Sequence, residues 1–207
     1  MPGFTLPPEK PVVIEQFILH HYKDGIETQR VQGVVGRYYE KEWRMEVDGV
    51  TAFFYDNAPP YCQSSVLKSD HGILYMADEP TTPPSYRKSD IDFNGHVVFL
   101  ERESSRKIET DQARYHASSK LLLSETPSDW ITPTKTGLMK QHYQVGFTVD
   151  MTQSVYTHKG ASLKLETLTG DEGKRALAKH NAEFDAIPWV CGPDDIPVSQ
   201  VKKEGAK

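Results

Sequence analysis

The sequence predicts a mainly β protein: an antiparallel meander, forming a barrel or two packed sheets, with one late α-helix. Three observations carry that class. Turn signals recur at short spacing: Asp24-Gly25, Asp48-Gly49, Ser69-Asp70-His71-Gly72, Asn94-Gly95 and His158-Lys159-Gly160. The runs between them are rich in Val, Ile, Phe, Tyr and Thr, side chains that fit a pleated, half-buried surface. Helical periodicity is convincing at one place, near the C-terminal end.

The elements follow in order. In EWRMEVDGVTAFFYD, a two-residue turn at Asp48-Gly49 sets Val47 against Val50, Met45 against Ala52 and Trp43 against Phe54, so one face is apolar. The other face carries Glu42, Arg44, Glu46 and Thr51, with Phe53 and Tyr55 among them. HYQVGFTVDM reads as one strand, with Tyr143, Val145, Phe147, Val149 and Met151 on one side. A further hairpin, Ser154 to Leu168, turns at His158-Lys159-Gly160 and continues the same sheet. GDEGKRALAKHNAEF is the helix: Thr169 and Glu172 have capping-box spacing, and Ala176, Leu177, Ala178 and Phe184 form its apolar stripe. Prolines at Pro59-Pro60, in DEPTTPPS and in ETPSDWITPT mark loops that cross between sheets or over a barrel mouth. About a dozen short strands result, arranged as residues 1–11, an N-terminal arm; 12–187, one β-rich domain; and 188–207, an irregular tail.

Charge and composition narrow the function. A formal charge of −5, with acids and bases interspersed over 207 residues, provides no basic stripe, so nucleic acid is not an expected partner. No run reaches the roughly 18 to 20 apolar residues of a membrane span, and the opening MPGFTLPPEKP has no signal-peptide pattern. Cys62 and Cys191 are available for one disulfide, yet two thiols in a chain of this length make no framework, and none of the three asparagines opens an N-x-[ST] site. A reducing, cytoplasmic location is the expectation, with an organelle as the alternative.

Residues 89–101, SDIDFNGHVVFLE, carry two competing readings. Asp90, Asp92, Asn94, Gly95 and Glu101 match the spacing of a calcium loop, in which oxygen ligands wrap a hard cation. Asn-Gly between apolar runs is also the strongest hairpin signal, since both central residues of a type I′ turn need positive φ. Pro83 and Pro84 upstream and the β-branched HVVFLE downstream deny the loop its flanking helices, so the hairpin is preferred, with Lys88 opposite Glu101.

Other motifs read structurally. TGDEGKRALAK falls short of the P-loop spacing, and Asp171 and Glu172 suit the positive end of a helix dipole rather than an anion. His20 and His21 are adjacent on a strand and point to opposite faces, so they do not share a metal ion. No cofactor is assigned by any motif, and the serines and Cys62 lack a nucleophile context.

The aromatic load is concentrated in one third of the chain: Trp43, Phe53, Phe54, Tyr55, Tyr61 and Tyr75. GRYYEKEWRMEVD, residues 36–48, resembles the aromatic hairpin of ependymin and LolA-type carriers over that length, and the expected architecture is similar to that of lipocalin-like proteins and half-barrel lipid carriers. The expected function is non-covalent binding of a small hydrophobic or aromatic molecule, with Trp43, Arg44, Phe54, Tyr55 and Tyr75 as the ligand-binding residues. Two alternatives stand beside it. One is a non-catalytic subunit of a larger assembly that meets other protein subunits through Phe53, Tyr55 and the proline-rich arms; the other is a small lyase, isomerase or hydrolase in the same cavity.

Overall fold

The computed structural model describes residues 10–56, 61–81, 84–159 and 163–191. Twelve strands run antiparallel in one sheet: β1 (Val12–Lys23), β2 (Ile26–Tyr39), β3 (Arg44–Tyr55), β4 (Gln63–Tyr75), β5 (Ile91–Glu101), β6 (Arg106–His116), β7 (Leu121–Ser124), β8 (Ser128–Thr134), β9 (Gly137–Tyr143), β10 (Phe147–Asp150), β11 (Val155–His158) and β12 (Leu163–Leu168). The helix α1 (Gly170–Asp185) follows them. The mainly β class with one late helix is therefore what forms. The sheet is not closed into a barrel; the packed-sheet arrangement is the one that fits.

Strands β1 to β6 are sequential neighbours, and the sheet then forks at β6. Arg114–His116 pair with β7, which continues to β10 and β11, while Lys107–Thr110 pair with β8, which continues to β9 and β12. This fork overturns two expectations. HYQVGFTVDM is not one strand, because β9 and β10 belong to different branches. Nor do β11 and β12 form a hairpin; each pairs elsewhere. ETPSDWITPT, expected as a loop, contains β8; Pro133 lies beyond the residues that pair with β6, so its missing N–H breaks no bond there.

The Gly-containing signals also resolve differently. Asp24-Gly25 is a two-residue turn as expected, with Lys23 paired to Ile26 and both turn residues at positive φ (53° and 79°). Asp48-Gly49, Ser69–Gly72 and Asn94-Gly95 are instead interior to β3, β4 and β5. They form a line of irregularities across the sheet: Gln16 (φ 50°) in β1, Gly49 (64°) in β3, a register shift between Lys68 and His71 in β4, and Gly95 and His96 (73° and 43°) in β5. An extra or left-handed residue bends its strand and increases the local twist, so a row of them creases the sheet.

The crease explains the core. On one side of it, Tyr38, Met45, Leu74, Ile91, Tyr115 and Leu122 stand in register across six strands. On the other side, Leu19, Val31, Ala52, Leu67, Phe99 and Ile108 do the same. Folding brings the two sides together, with Phe54 packed on Tyr115 at 4.6 Å between ring centres, and the side chains form one continuous core. Two glycines permit the close approach: a Cβ on Gly33 would sit 2.3 Å from Val47, and one on Gly36 would sit 2.8 Å from Phe17.

A second core lies on the outer face. Phe53, Tyr55, Val66 and Leu100 are covered by Phe184 from α1 and by Ile187 and Val190 beyond it. The helix buries Gly173, His180 and Phe184, at i, i+7 and i+11, rather than the Ala178 side of the expected stripe. Thr169 is its N-cap, but makes no side-chain cap bond, so the capping box does not form. Cys191 is disulfide-bonded to Cys62, which ties this cover to the start of β4. Of the C-terminal segment, residues 188–191 pack here, and 192–207 lie outside the described residues, as do Pro59 and Pro60.

Candidate functional site

The crease leaves an apolar pocket of about 260 Å³ where the ends of β1 and β2 meet the end of β4 and the approach to β5. Leu19 and Val31 line one wall, and Leu74, Met76 and Ile91 the other. The rest of its lining is polar or aromatic: His20, His21, Gln29, Tyr75, Lys88, Ser89 and Asp90. The seam is closed by a bond between Ser89 Oγ and His21 Nδ1 at 3.2 Å, joining segments 68 residues apart.

Local backbone chemistry sets this polar lining. Ser89 has φ 72°, a conformation uncommon outside glycine, and its N–H donates to the Tyr75 carbonyl at 2.7 Å. Next to it Asp90, 1% exposed, accepts from the N–H groups of Arg87 (3.0 Å) and Ala117 (2.9 Å) and pairs with His116 Nδ1 (3.0 Å). A buried carboxylate with three such partners fixes the approach to β5 against the end of β6. Tyr75 donates to Asp92 Oδ2 at 2.8 Å and stacks on Tyr86; burial and that carboxylate push its phenol upward. Burial, and then the charges of Lys88 and Lys120, hold the His21 imidazole below its ordinary range.

The five residues expected to bind ligand do not converge. Trp43 is 55% exposed in the turn before β3, where its carbonyl accepts from the Met76 N–H. Arg44 is held by Glu42 and by Glu46 (2.8 Å), over the Tyr39 ring. Phe54, 3% exposed, fills the inner core. Tyr55 lies in the outer core beneath Arg30, its hydroxyl without a hydrogen-bond partner. Tyr75 alone of the five borders the apolar pocket. The Asp48-Gly49 hairpin expected between Trp43 and Tyr55 does not form, and β3 runs straight through it. In a single strand of 12 residues, at roughly 3.3 Å each, Arg44 and Tyr55 stand at opposite ends.

The pocket residues lacked any local signal. Leu19, Val31, Leu74, Lys88 and Ser89 come from four separate stretches, and their meeting depends on the crease. His20 and His21, expected on opposite faces, both line the pocket; the first is held by Glu27 at 2.7 Å and the second reaches Ser89.

Neither reading of residues 89–101 survives. β5 is one continuous strand, so Asp92, Asn94 and Glu101, with Asp90 just before it, are strung along roughly 35 Å and cannot wrap one cation. Asp92 binds Arg114, with Nη2 to Oδ2 at 2.7 Å, and Glu101 lies opposite Ser65 and Arg106 rather than Lys88. Phe53 and Tyr55, the expected contacts to other subunits, are covered by the chain's own C-terminal segment.

At the opposite end of the crease lies a more polar pocket of about 690 Å³, with Asp56, Gln63, Ser65, Glu101, Arg102 and Met151 among its lining. Glu101 there accepts from Ser104, and burial raises the Asp56 carboxyl. No helix among the described residues is long and apolar enough to cross a membrane. No family model matches the chain, and a search of curated proteins finds no match to its sequence.

Proposed function

We propose that the protein binds a small apolar molecule, non-covalently, in the pocket between the β1–β2 end and the β4–β5 approach. The observation that carries this reading is a cavity in which Leu19, Val31, Leu74, Met76 and Ile91 come together beside a few convergent polar groups, the usual composition of a small-ligand site. The large aromatics support it indirectly: Phe54, Phe93, Phe99 and Phe147 fill the interior, leaving this seam as the apolar space.

Titration with the uncharged fluorescent apolar probe N-phenyl-1-naphthylamine tests it. Saturable binding at one site is expected, and Leu19→Trp, which fills the cavity from β1, should weaken it by at least tenfold. Binding unchanged by that substitution, in a variant with an unchanged far-ultraviolet spectrum, would sink the proposal.

The cytoplasmic expectation rested on two cysteines being too few for a disulfide framework. A Cys62–Cys191 bond is favoured in oxidising surroundings, and we propose that the protein works there.

A further inference from the structure

The larger pocket, at the other end of the crease, has a wall that core packing does not explain. Ala52, Leu67 and Phe99 stand in register across β3, β4 and β5, and two residues further along the same face the set becomes Phe54, Ser65 and Glu101. Ser65 and Glu101 are buried and line the pocket. Beside them Gln63, 1% exposed and also in the lining, has an amide Nε2 with no hydrogen-bond partner. A buried donor without an acceptor destabilises the fold, whereas an apolar side chain of that length would not. The backbone holds Gln63 there: its N–H donates to the Val190 carbonyl at 2.8 Å, and on the facing strand end the Arg102 N–H donates to the Ser64 carbonyl at 2.9 Å.

The charged side chains of the lining are Asp56, Glu101, Glu103 and Arg102. The guanidinium is engaged, since Arg102 Nη1 donates to Cys191 Sγ at 3.2 Å and the group lies over the Trp189 ring. Glu101 accepts from Ser104 and lies 4.0 Å from Arg106, but a carboxylate has about four acceptor sites and retains capacity. Three carboxylates beside one engaged cation disfavour an anionic ligand. A simple cation would suit the carboxylates and leave the Gln63 amide unsatisfied, because that donor needs an acceptor oxygen. Hydroxyl groups answer both, donating to carboxylates and accepting from an amide. Phe99, Val149 and Met151 add an apolar side against which C–H groups can lie, and about 690 Å³ falls within the ~300 to 1,000 Å³ of small-molecule sites.

We infer that this pocket binds a neutral sugar ring, one hydroxyl accepting from Gln63 Nε2, others donating to Glu101, Asp56 and Glu103, and the C–H face on Phe99, Val149 and Met151. This second site stands independently of the apolar pocket.

Saturation-transfer NMR with D-glucose, D-galactose and D-mannose, and with glucuronate and glucosamine as charged rings, tests it. At least one neutral sugar is expected to bind saturably, at least tenfold more tightly than either charged ring. Gln63→Met should weaken that binding at least tenfold without lowering the unfolding midpoint, and should leave N-phenyl-1-naphthylamine binding unchanged. Glu103→Gln, at an exposed position that folding does not need, should weaken sugar binding at least threefold, and it decides the matter if Gln63→Met does not fold. Failure of all three neutral sugars to saturate, a charged ring binding as tightly or more tightly, or sugar binding unmoved by both substitutions would overturn the inference while leaving the apolar pocket standing.

Discussion

Single residues in this protein take their roles from the crease, and the histidines report it most directly. His96, one of the left-handed residues in β5, bonds Asp70 Oδ2 through Nδ1 at 2.6 Å, and that carboxylate raises its pKa. His158 stacks on Tyr143 at 3.7 Å with a buried, unpartnered Nδ1, and burial followed by the Arg106 charge lowers its pKa. Resolved proton titration by NMR should therefore find His96 above the ordinary value near 6.5 and both His158 and His21 below it. Asp70→Asn should return His96 to the ordinary range; an unmoved His96 would refute the assigned pairing. The signs differ for stability. The His96 contribution is present below pH 6.5 and lost as pH rises through its raised value, and it is small because the ring is fully exposed. The His158 contribution is present above pH 6.5 and lost as pH falls through its lowered value. The same dipeptides show why residue-level reading misplaced the turns. Asp-Gly and Asn-Gly signal a positive φ faithfully, but a positive φ serves a hairpin turn at Asp24-Gly25 and a mid-strand bend at Asn94-Gly95. Which of the two it serves depends on neighbouring strands that a local window does not contain.

Among the elements, the helix was legible and its partner was not. Its 3.6-residue periodicity is a local property, whereas the outer core it covers draws on β3, β4 and β5. The paired strands were legible as β segments for the same local reason. Their boundaries failed where the chain crosses between branches, because β9 and β10 are separated by three residues, with Val145 keeping the apolar alternation intact. Holding the cover in place is the Cys62–Cys191 bond, which closes a span of 129 residues. In the chain-entropy account a loop of that length is worth about 5 kcal/mol, and measured losses fall at 2 to 5, so Cys62→Ser with Cys191→Ser should lower unfolding stability by roughly 3 to 5 kcal/mol. Urea denaturation followed by fluorescence measures it, and Trp189, which donates to the Phe184 carbonyl at 2.9 Å, should shift to the red as the cover loosens. A loss under 1 kcal/mol with no spectral change would show that apolar burial alone holds the segment.

For the molecule as a whole, the crease makes both the core and the proposed site, and this dependence can be tested away from either. Gly95 stands in the crease at φ 73°, and a Cβ there would lie 2.9 Å from Asp70 Oδ2. Gly25 has a similar φ of 79° in the β1–β2 turn, with open space around it. A valine in a left-handed conformation costs about 1 to 2 kcal/mol at either position, so the two substitutions impose a comparable backbone penalty. They differ in what they can move. Gly25→Val should cost about that amount and leave probe binding within threefold, since the turn can absorb it without displacing Leu19 or Val31. Gly95→Val should cost roughly 2 to 3 kcal/mol and weaken binding of the same fluorescent probe by at least tenfold, because β5 relieves the strain by straightening. Straightening withdraws Ile91 from Leu19 and Val31 and opens the seam that Ser89 and His21 close. Denaturation midpoints and probe titrations on the two variants decide the matter. Should Gly95→Val lose stability while retaining its probe affinity, the pocket would not depend on the crease, and the line of irregular residues would be a means of packing the core alone.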